Sequence, residues 1–257
     1  MTTTALRTVT LADRPDLVDA LRASGLDGTL SWPAFYEGSP VKALYWDRTY
    51  TEFPAHQVLF LDDADVIVAC GHTLPLHWDG TAEGLPAGWD QALELAFAAN
   101  RKPNTLLAAS AVAHPAMRKI GLGTDILKSM RALAVDQGLT SLLAPVRPNR
   151  KESYPLAKFE EYIGWTHPDG SAFDPWLRVH LQLGGRILMV APESMVVEGT
   201  VEQWAVWTGG TFPATGAYVV PGGLAPVHID LEHDLGRYVE PNVWVEHRLV
   251  EEPGQAK

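Results

Sequence analysis

The chain of 257 residues contains a single cysteine, Cys70. An intrachain disulfide is therefore excluded, and so is a structural zinc site built on thiolates. Cys70 lies in the apolar run at residues 66–70 and reads as a small buried hydrophobe. Long apolar runs are also missing: none approaches the ~20 residues that span a bilayer. Residues 1–7 show no basic segment followed by an apolar core, so the expectation is a cytoplasmic protein with no membrane partner. Basic residues are in deficit, 20 Lys and Arg against 31 Asp and Glu, for a net charge of −11. That balance disfavours a phosphate backbone as partner, and nucleic acid is not expected.

What remains is ordinary globular composition, 46% hydrophobic and 20% charged, with enough length to bury a sizeable core. Leu6, Val9 and Leu11 suggest a strand, and Pro15 sits in the first turn of a helix through Leu17, Val18 and Leu21. Residues 31–54 are rich in rings, among them Trp32, Tyr36, Trp46 and Tyr50, and read as loops and short helices that form a pocket wall or anchor the loops. Strand formers at 57–61 and 66–74 flank an acidic turn, which predicts an antiparallel hairpin. A helix carrying Trp89, Leu93, Ala96 and Phe97 follows, then a small and apolar run at 106–113 that reads as a central strand buried on both faces.

Leu122, Ile126, Met130, Leu133 and Ala134 share one helical face, and Gly138 closes that helix. A strand at 141–146 comes next, and Pro155 is expected to start a helix reaching about Gly164. Beyond it the pattern predicts helices at 175–183 and 201–208 and strands at 187–190, 195–197, 227–231 and 243–249. The fold class is α/β, or α+β in the looser sense, with a mixed sheet. Alternation puts His228, Asp230 and Glu232 on one strand face near His233, but a solvated sheet face gives the same pattern and no metal is expected.

The sharpest feature is the junction at residues 111–130, AVAHPAMRKIGLGTDILKSM. A buried strand ends, Pro115 breaks it, a basic turn follows, and Gly121 and Gly123 lead into an amphipathic helix. Glycine admits a ligand close to the backbone, and the first amides of a helix have no internal partner. A pyrophosphate suits such a place, aided by the helix dipole and by Arg118 and Lys119. A phosphate loop would need Gly-Lys-Ser/Thr, and a dinucleotide fingerprint a third glycine; neither is present.

The pattern that is left, Arg118-x-x-Gly121-x-Gly123 after a strand and the His114-Pro115 turn, resembles the signature of the GNAT acyltransferase superfamily. The order of elements agrees over residues 5–165, a GNAT-like acyl-CoA-binding core. Residues 166–257 are longer than the family's usual closing strands and form a C-terminal extension that would complete the sheet, shape the acceptor pocket or build a homodimer. The resemblance implies acyl-CoA, acetyl-CoA above all, as co-substrate and a small amine as acceptor. It implies that backbone amides at Arg118, Lys119, Gly121, Leu122, Gly123 and Thr124 hold the pyrophosphate, that Val112 and Ala113 bond the pantetheine arm, and that Asn149 contacts that arm.

The family often carries a carboxylate on the signature strand, whereas residues 106–112 hold no ionisable group. Either His72, His77 or Asp79 on the hairpin is the base, with His72 the first candidate, or the acceptor needs none. For the acid that protonates the leaving thiolate, the expectation is Tyr154, at the cap of a helix begun by Pro155, in preference to Tyr162. The competing readings keep the fold. One is a thioester enzyme that serves a carrier protein or decarboxylates a malonyl thioester, and the other is a non-catalytic acyl-CoA-binding module.

Overall fold

The computed structural model describes residues 6–28, 32–98 and 101–249, and at 118–120 the backbone alone. Strand formers pair where their pattern predicts. β1 (Arg7–Thr10), β2 (Gln57–Leu61) and β3 (Ile67–Leu76) form an antiparallel run, and β3 continues antiparallel onto β4 (Thr105–Ala113). The register slips once on β4: Thr73 faces Ala108 and His72 faces Ser110, so Ala109 has no partner and forms a bulge.

β4 then pairs in parallel with β5 (Ser141–Val146), but only from Thr105 to Leu107 against Ser141 to Leu143. Beyond that point the two strands part, and Pro145 takes one donor out of β5 just where the ladder ends. α5 (Leu122–Asp136) crosses back between them and buries Leu122, Ile126, Leu127, Met130 and Ala134. The predicted helix end holds: Gly138, at φ +69°, follows the cap residue and its N–H bonds to Val135.

The C-terminal segment supplies the other half of the sheet. Its long strands β6 (Arg186–Gly199) and β9 (Leu235–Arg248) pair along most of their length, and β9 docks antiparallel on β5, with Ser141 opposite Arg248 and Val146 opposite Val243. Short strands β7 (Gly216–Tyr218) and β8 (Val227–Asp230) complete a nine-stranded sheet. β8 meets β9 only at Leu235 to Arg237, on the edge that β5 occupies from Val243 onward. Residues 238–242 thus face a gap in the sheet.

Helices cover both faces. α1 (Val18–Ser24), α2 (Pro40–Tyr45), α3 (Arg48–Glu52) and α4 (Trp89–Ala98) pack on one side, and α7 (Pro175–Gln182) lies beside α5 on the other. α8 (Val201–Thr208) starts on a capping box in which Thr200 and Gln203 bond each other's backbone. One expected element is absent as drawn: Pro155 starts no helix. Lys151–Ser153 is a short 3-10 turn, and the helix there is α6 (Phe159–Ile163), capped by Lys158. The strands expected separately at 187–190 and 195–197 are one strand, β6, interrupted by register shifts around Pro192. Among the described residues no helix is long and apolar enough to cross a membrane, and no group of three or more His, Cys, Asp or Glu is placed to hold a metal ion. Asp230 instead closes its turn on His233 and the amides of Glu232 and His233.

Candidate active site

The parting of β4 from β5 opens a cavity of about 370 Å³. Ala108 to Ala111 and Ala113 form one wall and Ala144 to Arg147 the other. Small side chains dominate here, which leaves the gap open instead of filling it. One end lies at the start of α5, with Gly123, Asn149 and Trp176. The other lies against Trp32, Tyr36, Trp89, Met195, Glu240 and Asn242.

At the first end the chain passes from β4 through a 3-10 turn, Pro115–Ile120, whose cap is the His114 ring accepting from the Ala116 amide at 3.3 Å. Gly121 then takes φ +79° and begins α5. A Cβ at Gly121 would meet nothing within 4 Å among the described residues, so the glycine serves the backbone turn. At Gly123 a Cβ would come within 3.1 Å of the Trp176 ring, so here glycine makes room for α7. Of the residues expected to bind the donor, Ala113, Gly123 and Asn149 line the cavity. Val112 and Leu122 point into the core, with 3% and 2% exposure, so only their backbones could serve. Thr124 closes the first turn through its amide to the Gly121 carbonyl. The side chains of Arg118 and Lys119 lie outside the described residues.

The far end is a buried polar cluster built on the gap in the sheet. Glu240 Oε1 accepts from the Tyr36 hydroxyl at 2.6 Å and from Arg147 Nε at 3.1 Å. Its Oε2 accepts from the Tyr238 hydroxyl at 2.8 Å and from the same Arg147 Nε at 3.2 Å. Arg147 Nη2 donates to the Gly222 carbonyl at 2.5 Å, while its Nη1 has no partner among the described residues. Burial, with Glu240 adding to it against the pull of Arg147, pushes the Tyr36 and Tyr238 hydroxyls well above the usual tyrosine range. Glu240 thus has donors on both oxygens and a guanidinium beside it, so its oxygens are engaged within the protein.

Two expectations are corrected by placement. His72 is fully buried between Trp46, Tyr50 and Gln57, with Nδ1 2.9 Å from Gln57 Oε1 and Nε2 3.2 Å from Cys70 Sγ. Burial lowers its pKa to about 4, and it does not line the cavity, so it is a core residue and not a base. His77 bonds the Lys102 carbonyl, and Asp79 closes a turn on Thr81. Tyr154 stands at the end of the 3-10 turn, 37% exposed, with its ring among Tyr162, Trp165 and Phe173, away from the cavity wall. Because Pro155 starts no helix, nothing carries Tyr154 toward the gap. Tyr162 is buried and donates to Asp174 at 2.9 Å.

The sequence reading missed Arg147, Glu240, Asn242, Trp176 and His180, all on the cavity wall. A signal existed for two of them: Tyr238, Glu240 and Asn242 alternate along one strand, a polar stripe inside an otherwise apolar pattern. His180 is buried, and its Nδ1 lies 2.9 Å from His247 Nε2; burial holds both rings neutral.

A sheet whose central parallel pair splays beside a glycine-started helix is the frame of an acyltransferase that draws a thioester between two strands. Comparison with known proteins agrees. No protein-family model matches the chain. The arginine N-acetyltransferase avaD of Aspergillus versicolor is 32% identical over an alignment that covers 93% of this chain and 93% of that protein. Among solved structures, the loading GNATL domain of CurA from Lyngbya majuscula superposes with a TM-score of 0.60 at 17% identity, over 96% of this chain and 98% of that one. The GphF GNAT-like decarboxylase in complex with isobutyryl-CoA gives 0.58 at 19%, over 96% and 100%. The chain belongs to the GNAT superfamily of acyl-CoA-dependent N-acyltransferases. Its reaction moves an acyl group from acyl-CoA to a small amine.

Proposed function

We propose that the acceptor is a small amino acid or a close analogue, with arginine the first to test, and that it enters from the Glu240–Arg147 end while the acyl donor enters from the α5 end. The observation that carries this is the continuity of the cavity from Gly123 to the pair of half-buried Arg147 and buried Glu240, between the two parted strands. Its volume suits a small acceptor beside the acyl end of the donor. The unpartnered Nη1 of Arg147 is a ready donor for an acceptor carboxylate, and the Trp32 ring on the cavity wall offers a face for a cationic group. The name of the relative avaD supports the same acceptor class.

On the donor side, the amides from Arg118 to Gly123 hold the pyrophosphate at the start of α5, the Thr124 amide being taken by the Gly121 carbonyl; Val112 and Ala113 bond the pantetheine arm through their backbones, and Asn149 contacts it at the mouth. The neutral amine attacks the thioester carbonyl, a tetrahedral intermediate forms, the carbon–sulfur bond breaks, and the proton lost by the amine balances the departing thiolate. The lone pairs of Glu240 are occupied and His72 is sealed in the core, so the amine arrives already deprotonated. The setting is cytoplasmic, and the lone buried Cys70 fits a reducing compartment. The sequence segment 166–257 is the part that shapes the acceptor end.

The test is acceptor-dependent release of coenzyme A thiol from acetyl-CoA, with mass spectrometry of the product. Arginine and related amino acids should yield N-acetylated products, with a rate that rises as the acceptor amine loses its proton and no inflection near the usual histidine value of ~6.5. Carbon dioxide released from malonyl-CoA with no acylated amine would overturn the reading, as would acceptors that need no carboxylate being used equally well.

A further inference from the structure

Trp89 is hydrogen-bonded toward both ends of the cavity. Its indole Nε1–H donates to the Ala109 carbonyl at 2.9 Å, and Ala109 is the bulged residue that has no partner in β3. Its backbone N–H donates to Ser194 Oγ at 2.8 Å, and that hydroxyl donates on to Asn242 Oδ1 at 2.6 Å, on the acceptor side. The ring is 5% exposed and wedged against Trp32 and Trp46. Before it, Gly88 presses on β6 so closely that a Cβ would come within 2.1 Å of the Ser194 Cα. The helix start is thus fixed from three directions.

A bulge is the least constrained point of a strand, because the extra residue has left the ladder. In this protein it lies just past the last β4–β5 pair, where the strand begins to face the gap. The peptide joining Ala109 to Ser110 is planar, so holding the Ala109 carbonyl also fixes the direction of the Ser110 N–H and the path of the strand beyond it. We propose that Trp89 is a positioning residue for acyl transfer: its indole N–H locks the β4 bulge in the orientation that receives the thioester carbonyl, and its link through Ser194 to Asn242 ties that orientation to the acceptor end. This inference rests on the donor lying between β4 and β5.

The test replaces the N–H while keeping the ring. Trp89→Phe removes the donor but leaves an aromatic wedge, and incorporation of 3-benzothienylalanine at position 89 keeps the full bicyclic shape with sulfur in place of N–H. Both should lower kcat about 10- to 100-fold while the Kd for acetyl-CoA and the KM for acceptor stay within about threefold, since misplacing a reacting group costs rate more than binding. Infrared spectra of bound acetyl-CoA labelled with carbon-13 at the carbonyl add a readout that does not need turnover. The wild-type band should lie below that of free acetyl-CoA, and the variant band should move back toward it. Unchanged kcat in the benzothienyl protein, or a slowed enzyme with the wild-type carbonyl band, would overturn the proposal. Failure of the wild type itself to bind acetyl-CoA would overturn the placement of the donor, a result distinguishable from either.

Discussion

Arg147 shows how much a single residue can hold. It reaches from the end of β5 across the gap in the sheet, supports Glu240 with one nitrogen and anchors the Gly222 carbonyl with another. Glu240 is 2% exposed, so removing its cation leaves a charge in the interior with two tyrosine hydroxyls, a long bond from the Asn242 amide and no counter-ion. Arg147→Met should therefore cost about 3–5 kcal/mol in chemical unfolding. Adding Glu240→Gln removes the uncompensated charge and should recover a large part of that loss. A double variant no more stable than the single one would show that the cation matters through packing alone. This pair was not legible in the sequence because its members are 93 positions apart and meet only when β9 docks on β5. His72 and Tyr154 were misread for a related reason. Residue type suggests chemistry, but burial decides it: one ring faces Trp46 in the core and the other a separate aromatic cluster.

Elements fared better where local chemistry determines them. The strand, proline turn, glycine and helix at 105–136 were legible because each step has a local cause, and the helix ends fall where capping residues put them. The helix expected from Pro155 was not, since the Lys151 amine, bonded to the Tyr154 and Leu224 carbonyls, holds that segment as a turn. β6 and β9 were seen only in pieces, because bulges around Pro192 and the polar stripe at 238–242 interrupt the apolar pattern. Gly121 tests the junction directly. Its φ of +79° makes Gly121→Ala cost about 1–2 kcal/mol. The added methyl meets no atom of the described residues within 4 Å, so a further effect on the ligand reports how closely a ligand approaches. Coenzyme A at 100 times its Kd should raise wild-type stability by about 2.7 kcal/mol. Gly121→Val should lose most of that gain beyond its own folding cost, and an equal gain in both proteins would place the pyrophosphate elsewhere.

At the scale of the whole molecule, the sheet encloses three histidines that fold only when neutral. Burial lowers His72 to about 4, and it holds His180 and His247 below the usual value as well, with Arg131 adding to the effect on His247. In the unfolded chain each would titrate near 6.5. Their stabilising contribution is therefore complete above that pH and is lost as pH falls from about 6.5 toward 4, because the unfolded state then binds protons that the folded state refuses. Asp90 acts in the opposite sense. Burial raises its pKa to about 6, so its contribution is present below the usual carboxylate value and lost as pH rises through 6. Burial lowers the half-buried His56 in the same direction, so four histidines oppose one carboxylate, and acid should win. His72 alone supplies about 2 kcal/mol between pH 7 and pH 5, at 1.36 kcal/mol for each pH unit per proton. The midpoint of denaturant unfolding should fall clearly over that interval. His72→Gln, which keeps a polar group beside Gln57, should fall less steeply even though it starts lower. Equal stability of the wild type at pH 7 and pH 5 would mean that the buried rings accept protons in the fold, against the burial seen at all three.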